Sequence, residues 1–463
     1  MIHAYKNNGY NIVLDVNSGT VHAVDEVAFD IIEMLNEGKE REKIIADILI
    51  EYSHMPEVTR ADVEETLADI DELIAQGKLF SKDIFREVAD QFKERQSVIK
   101  ALCLHVAHDC NMACKYCFAC EGEYNQGERG LMSLEVGKKA LDFLVENSGN
   151  RKNLEVDFFG GEPLLNWEVV KEVVAYGREL EKTTDKNFRF TLTTNGLLID
   201  DDVIEFANKE MSNVVLSIDG RKEVNDKMRL TRNEKGTYDI ILPKFVDLVD
   251  AREQKDYYIR GTYTHHNTDF ASDILHLADL GFKELSMEPV VASPDADYAL
   301  THDDLPKLLE EYDRLAQEML KRERVGEGFN FYHYTIDLTG GPCVVKRVSG
   351  CGVGTEYVAV TPEGDLYPCH QFVGMDDFKL GNIYDGITNT ECQNQFKSCN
   401  IYSHKECDEC FARMYCSGGC AANAYNSTGS INGVYEFGCK LHRKRIECAI
   451  MLQVAREFGH HDE

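Results

Sequence analysis

Apolar and polar positions fall into three regimes along the chain. From residue 1 to about 85, short alternating runs (HAYKNN, YNIVLDV, TVHAVD) precede EVAFDIIEMLNEG and REKIIADILIEYS, whose apolar residues recur every three to four positions, so strands come first and helices follow. A third helix is predicted over TRADVEETLADIDELIAQGKL, with Thr59 as N-cap and Gly77 as stop, and a last short strand at KLFS. From about 98 to 330, strand-like KALCLHVA, LEVDFFG, FRFTLTTN, VVLSIDG, YYIRGTYT and ELSMEPVV alternate with helix-like SLEVGKKALDFLVENS, WEVVKEVVAYGRELEK, DDDVIEFANKE, YDIILPKFVDLVDAR and SDILHLADLG. That alternation predicts a parallel α/β unit. Six strand–helix units suit a partial (β/α)6 TIM barrel, whose chemistry gathers at the carboxyl ends of its strands. Beyond 331 periodic helices are few until KLHRKRIECAIMLQVAREF, which is expected to pack back on the body.

These regimes predict units at 1–90, 91–330 and 331–440, with a carboxyl-terminal helix over 441–463. The first, strands followed by three helices, resembles a winged helix-turn-helix. A DNA-binding version needs a basic recognition helix. Here the helices carry Glu33, Glu37, Asp47, Glu51, Asp62, Glu64 and Glu65, so the unit is expected to recognise a peptide. The net charge of −31 likewise argues against a phosphate-tracking nucleic-acid binder. No apolar run reaches the roughly 18 to 20 residues that span a bilayer, and MIHAYKNNGYNI is no export signal, so a cytoplasmic protein with no membrane partner is expected.

Sixteen cysteines then change the picture. A disulfide framework does not suit a reducing compartment, which leaves metal ligation as the default. Five cysteines lie between Cys103 and Cys120 and eleven between Cys343 and Cys448, with none between these groups. The region from 331 is glycine-rich and irregular; metal-linked loops, whose ligation energy is also folding energy, would hold it together.

Cys110, Cys114 and Cys117 follow the first barrel strand with Cys-x3-Cys-x2-Cys spacing. Three thiolates on one short loop can hold three corners of a [4Fe–4S] cube and leave the fourth iron open. The alternative is zinc, with His108 or Cys120 as fourth ligand. With Tyr116 before Cys117 the loop resembles the radical S-adenosylmethionine (SAM) superfamily, and Gly160, Gly161, Glu162 and Pro163 at the end of the second strand match that superfamily's Gly-Gly-Glu-Pro motif. Glycines allow close backbone approach to a ligand, and a carboxylate beside them can accept from the SAM ammonium. Thr193, Thr194 and Asn195 in TTNG, and Ser217 and Asp219 in LSIDG, end later strands within reach of the ribose or the methionine carboxylate; Glu288 ends the sixth. The resemblance implies SAM as cofactor, the three cysteines as catalytic cluster ligands, and Tyr116, Phe118 and Arg229 among the SAM-binding residues.

Downstream, Cys351 and Cys369 stand in Cys-x12-Gly-x4-Cys, and Cys407, Cys410, Cys416 and Cys420 form Cys-x2-Cys-x5-Cys-x3-Cys, followed by Cys439. These seven resemble the SPASM domain, which holds two auxiliary [4Fe–4S] clusters. The family's ligand order implies Cys407, Cys410, Cys416 and Cys439 on one cluster and Cys351, Cys369 and Cys420 on the other, with Cys343 either its fourth ligand or absent from an open iron. A zinc ribbon is the alternative. Cys103 and Cys448 read as buried small hydrophobes; Cys120, Cys392 and Cys399 have no assigned role.

The architecture, with the opening NGYNIVLDVNSGTVHAVDEVAFDI, resembles the maturases of six-cysteines-in-forty-five (SCIFF) peptides, within the sactipeptide and ranthipeptide group. It implies hydrogen abstraction by a 5′-deoxyadenosyl radical and a thioether between a peptide cysteine and a threonine carbon. It also implies a leader peptide added as a strand to the first unit, and an external one-electron donor such as ferredoxin or flavodoxin. The rivals are an anaerobic sulfatase-maturating enzyme, which makes formylglycine, and a redox-sensing winged-helix regulator.

Overall fold

The computed structural model describes residues 1–89, 91–94, 97–124, 129–339 and 344–459. It opens with a three-stranded antiparallel sheet, β1 (Ile2–Asn7), β2 (Tyr10–Asp15) and β3 (Thr20–Val24), in that spatial order. Asn8 and Gly9, at φ 49° and 85°, make the tight hairpin between β1 and β2. Three helices follow, α1 (Glu26–Asn36), α2 (Arg41–Glu51) and α3 (Arg60–Ala75), the last capped reciprocally by Thr59 and Asp62. Val13, Ile31, Ile44, Ile48 and Val63 close a core belonging to this unit alone. The short strand expected at KLFS is instead a turn: Leu79 plugs that core, and Ser81 donates its N–H and hydroxyl to Asp15. Those side-chain bonds take the place of a sheet ladder.

Six strands then run parallel and in consecutive order: β4 (Ala101–His108), β5 (Asn153–Gly160), β6 (Asn187–Thr194), β7 (Met211–Ser217), β8 (Tyr257–Tyr263) and β9 (Glu284–Pro289). Helices α4 (Leu134–Asn147), α5 (Trp167–Thr183), α6 (Asp201–Glu210), α7 (Tyr238–Ala251) and α8 (Phe270–Asp279) connect them, with a short helix, Lys222–Met228, before α7. A twenty-residue helix absent from the sequence reading, α9 (Leu305–Arg324), follows β9. The cysteine-rich region adds β10 (Tyr357–Val360), parallel to β4, and β11 (Asp365–Tyr367), antiparallel to β10. The sheet is therefore continuous across residue 330, and because β4 and β9 each pair with other neighbours it curls without closing. This is the partial barrel expected from the alternating pattern.

Strand alternation divides the sheet into two faces. Leu102, Leu104, Val156, Phe158, Phe190 and Leu192 point outward into the helical layer and are buried. The intervening residues, Cys103, Asp157, Thr193, Ser217, Arg260 and Glu288, turn to the lumen, Cys103 level with Asp157 and Ser217 with Arg260 in the parallel register. The last helix, α10 (Glu436–Phe458), crosses back over α9 and reaches the lumen with Arg445, which donates to Tyr312 at 2.8 Å and to Glu288 at 3.3 Å. Among the described residues no helix is long and apolar enough to cross a membrane.

The amino-terminal sheet is fastened to the rest of the chain. Tyr5 donates its hydroxyl to the Glu447 carbonyl at 3.1 Å, and the His3 ring stacks on Phe411 at 3.5 Å. Arg413, only 4% exposed, donates to Asn17 at 2.7 Å and to Asp83 at 3.1 Å. Truncating such a buried cation leaves its carboxylate partner enclosed and unpaired, at a cost of about 3 kcal/mol. Arg413→Ala is therefore expected to weaken attachment of the β1–β3 unit by that order, measured as faster amide exchange in β1 and in residues 78–89; exchange equal to wild type would contradict it.

Candidate active site

The first thiol loop begins where β4 ends. Its course is set by two sets of backbone bonds. On one side Ala113 N–H bonds the Leu230 carbonyl at 2.8 Å and Lys115 N–H the Met228 carbonyl at 2.9 Å, which brings Arg229 beside Cys114. On the other, Gly161 N–H bonds the Ala107 carbonyl at 2.8 Å and Glu162 N–H the Asp109 carbonyl at 2.9 Å. Only glycine permits this second seam: a Cβ on Gly160, at φ +121°, would lie 2.3 Å from the Ala107 oxygen, and one on Gly161 2.2 Å from the Asp109 oxygen. These glycines thus serve strand-to-loop packing.

Glu162 is also held by the protein itself. It is fully buried and its carboxylate accepts from Leu164 N–H (3.0 Å), the Thr194 hydroxyl (2.8 Å) and Asn195 N–H (2.8 Å). It ties the second strand end to the third, and Pro163 starts the tight turn that follows. Asn195 extends the tie, donating to Asn111 at 2.7 Å and approaching the Cys110 sulfur at 3.6 Å. Burial pushes the Cys110 thiol up to about 12, the Glu162 charge adding to the rise, and the Cys114 thiol up to about 11 against the pull of Arg229; burial raises Cys117 as well. Thiols so placed release their protons to a bound metal rather than to water.

Behind the loop, Tyr116 donates to Asp219 at 2.6 Å and accepts from Arg229 at 3.0 Å, while Asp219 accepts from Thr262 N–H at 3.0 Å. Arg229 Nε is buried and, among the described residues, has no hydrogen-bond partner. The loop therefore offers three thiols, an unsatisfied donor beside them and a charged network behind, a donor set that fits a cluster with a charged ligand. Among the described residues no three His, Cys, Asp or Glu groups converge tightly enough to hold a single metal ion.

The second set of cysteines resolves into two groups by mutual influence. Cys416 feels the charges of Cys439, Cys407 and Cys410, and Cys369 those of Cys420 and Cys351. The SGG run between Cys416 and Cys420 has three successive positive φ values, 59°, 89° and 81°, which is how one five-residue turn delivers its end cysteines to different groups. Cys343 lies outside the described residues. Cys103 and Cys448 are buried and Cys120 is exposed. Cys392 is buried, and Cys399 donates its thiol to the Ile431 carbonyl at 3.3 Å.

The two thiol regions meet through aromatic rings. Phe118, next to Cys117, has its ring 5.5 Å from that of His370, next to Cys369, and Phe159 lies 5.1 Å from the same ring. Phe118 is 48% exposed. Thr193 donates to Asp157 at 3.3 Å, and half-buried Ser217 stands on the same inner face. Four lumen groups escaped the motif search: Asp157, Arg260, His370 and the Arg445–His333 pair. The signal was present as polar residues at alternate positions of otherwise apolar strands, LEVDFFG and YYIRGTY. Burial pushes Asp157 up to about 7 despite Thr193 and the Arg260 charge. Burial also acts to raise Glu288, but His333, Arg445 and Arg260 outweigh it and hold that carboxyl down to about 2. Glu288 keeps 37% of its side chain open while ringed by protein, as a lumen position requires.

Comparison with known proteins agrees with this division of labour. Residues 11–73 match the family of coenzyme PQQ synthesis protein D (PqqD), residues 100–242 a 4Fe-4S single cluster domain, and residues 351–411 the SPASM iron-sulfur cluster-binding domain. The radical SAM cyclopropyl synthase TigE of Paramaledivibacter caminithermalis is 22% identical over 94% of this chain and 91% of that protein. A cysteine-type anaerobic sulfatase-maturating enzyme of Clostridium novyi is 25% identical over 68% of this chain and 86% of that protein. Streptococcus suis SuiB shares the fold in structures bound to S-adenosylmethionine and to the precursor peptide SuiA: TM-scores are 0.52 and 0.50 and identities 17% and 15%, with 93% of this chain and 97% of that chain covered. The chain thus carries, in order, a PqqD domain, a 4Fe-4S cluster domain and a SPASM iron-sulfur cluster-binding domain, and is similar along most of its length to radical SAM peptide-modifying enzymes.

Proposed function

We propose that the chain matures a ribosomally made, cysteine-rich peptide of the SCIFF class, joining a cysteine sulfur to a threonine carbon through a thioether. One observation carries this reading: two separate thiol regions meet through aromatic rings, and a PqqD-type sheet is fastened beside the second of them. In this reading Cys110, Cys114 and Cys117 hold the radical cluster, Cys407, Cys410, Cys416 and Cys439 one auxiliary cluster, and Cys351, Cys369 and Cys420 the other, with Cys343 its candidate fourth ligand. When bound, the clusters and SAM supply one-electron chemistry that removes a hydrogen atom from carbon and takes up the surplus electron. The protein's own part is positional. Arg229, Tyr116 and Asp219 orient the charged ligand at the loop, Glu162 and Asn195 fix the loop against the neighbouring strand ends, and Phe118, Thr193 and Ser217 face the reacting space. Residues 1–90 hold the leader, 91–330 the radical core, 331–440 the auxiliary clusters, and 441–463 brace the lumen. A ferredoxin- or flavodoxin-type donor in the cytoplasm delivers the electron.

A second reading, formylglycine formation, is favoured by the sulfatase-maturating relative. That relative covers 68% of this chain against 94% for the cyclopropyl synthase, and a maturase acting on a short internal motif has no use for a leader-binding sheet.

Three outcomes test the reading. Anaerobically reconstituted protein is expected to bind about twelve irons; iron near four would remove the auxiliary clusters. Cys114→Ala is expected to abolish 5′-deoxyadenosine formation, whereas Cys369→Ala retains part of it and makes no thioether, read by mass spectrometry as a loss of two hydrogens that resists reduction; equal behaviour of the two variants contradicts the division. Leader peptide is expected to slow amide exchange in the edge strand β3, as strand addition requires, and unchanged exchange there refutes the docking role.

A further inference from the structure

Arg260 belongs to a strand whose Tyr257, Ile259 and Tyr263 are buried in the outer core, so alternation turns it inward. It stands level with Ser217 of β7 and Ser286 of β9. Although exposed, it acts by its charge on Asp157 of β5, Glu288 of β9, His333 and His370. Those groups come from different sides of the barrel, and only a guanidinium standing in the lumen reaches all of them. The other arginine of this space is committed: Arg445 is bonded to Tyr312 and Glu288. Among the described residues, no side-chain hydrogen bond or ion pair engages Arg260.

A guanidinium presents five N–H donors in a planar fork, and in Arg260 that fork is accessible to a ligand entering the lumen. Two acceptor classes are available to it, a carboxylate or a neutral carbonyl. The lumen already holds the Glu288 anion on the neighbouring strand, so a second carboxylate would meet like charge. A peptide main chain, by contrast, offers a neutral carbonyl at every residue. We propose that Arg260 anchors the substrate segment in the lumen by donating to one of its main-chain carbonyls. The inference rests on the peptide-maturase reading and names the residue that positions the peptide between the two thiol regions.

The test is equilibrium binding of a fluorescein-labelled octapeptide of alanine and glycine with one threonine and one cysteine, acetylated and amidated so that it carries no carboxylate. Reconstituted full-length protein is compared with Arg260→Met, which keeps the length and removes the fork, and with Arg260→Lys. Affinity is expected to fall about tenfold or more in Arg260→Met and by less in Arg260→Lys, while SAM affinity stays equal in all three, which also reports an intact fold. Unchanged peptide affinity in Arg260→Met overturns the anchor. Loss of SAM affinity assigns the guanidinium to the SAM carboxylate and overturns it too, as does an effect seen only with a peptide bearing a free carboxylate. Wild-type protein that binds no peptide overturns the maturase reading and the anchor with it.

Discussion

The seam between the ends of β4 and β5 governs the site. Two glycines without side chains let the backbone from Gly160 to Glu162 lie against Ala107 and Asp109, and the buried Glu162 carboxylate then clamps the third strand end to the second through Thr194 and Asn195. Three consecutive strands are thereby locked where the thiol loop departs. The loop itself is irregular and has no core of its own, so its shape comes from this seam on one side and the Met228–Leu230 segment on the other. A methyl group on either glycine would displace the backbone that aims Cys110.

The lumen is the second organising fact. Parallel sheets are ordinarily apolar on both faces, yet here one face carries carboxylates, guanidinia and imidazoles. They do not share one electrostatic state. Glu288, answered by Arg445 and His333, is a settled anion, while Asp157, opposite the same Arg260 but without a direct cation partner, sits near neutrality in its proton affinity. His333 and His370 are driven down to about 3 and 4 by burial and so stay uncharged. The space is thus polar with little net charge near its middle, suited to a peptide backbone more than to a strongly ionic ligand.

Much of this was legible from local pattern. The barrel strands and their helices declare themselves by alternation and period, and the cluster cysteines by spacing, because both are short-range properties. The ligand set suggested for each auxiliary cluster interleaves along the chain, Cys420 falling between Cys416 and Cys439, and a resemblance rather than spacing was needed to separate them. Helix α9 was legible but unread: Leu305, Leu308, Tyr312, Leu315 and Met319 recur at helical intervals. Strand β10 is four residues long and its pairing with β4 joins positions far apart in sequence, which no local pattern reports. The bonds from Glu162 to Thr194 and Asn195 were not legible, because those partners lie on a different strand.

The stacking of His3 on Phe411 and the grip of Arg413 on Asn17 and Asp83 bear on how length is measured. A docking module on a loose tether would let its cargo explore many registers. One bolted to the chassis sets a constant offset between the edge of its sheet and the reaction chamber, so residues a certain number of positions beyond the held segment arrive there and nearer ones fall short. Under the proposed function the geometry works as a ruler, and the spacing between grip and chamber becomes a selection rule on the peptide being held.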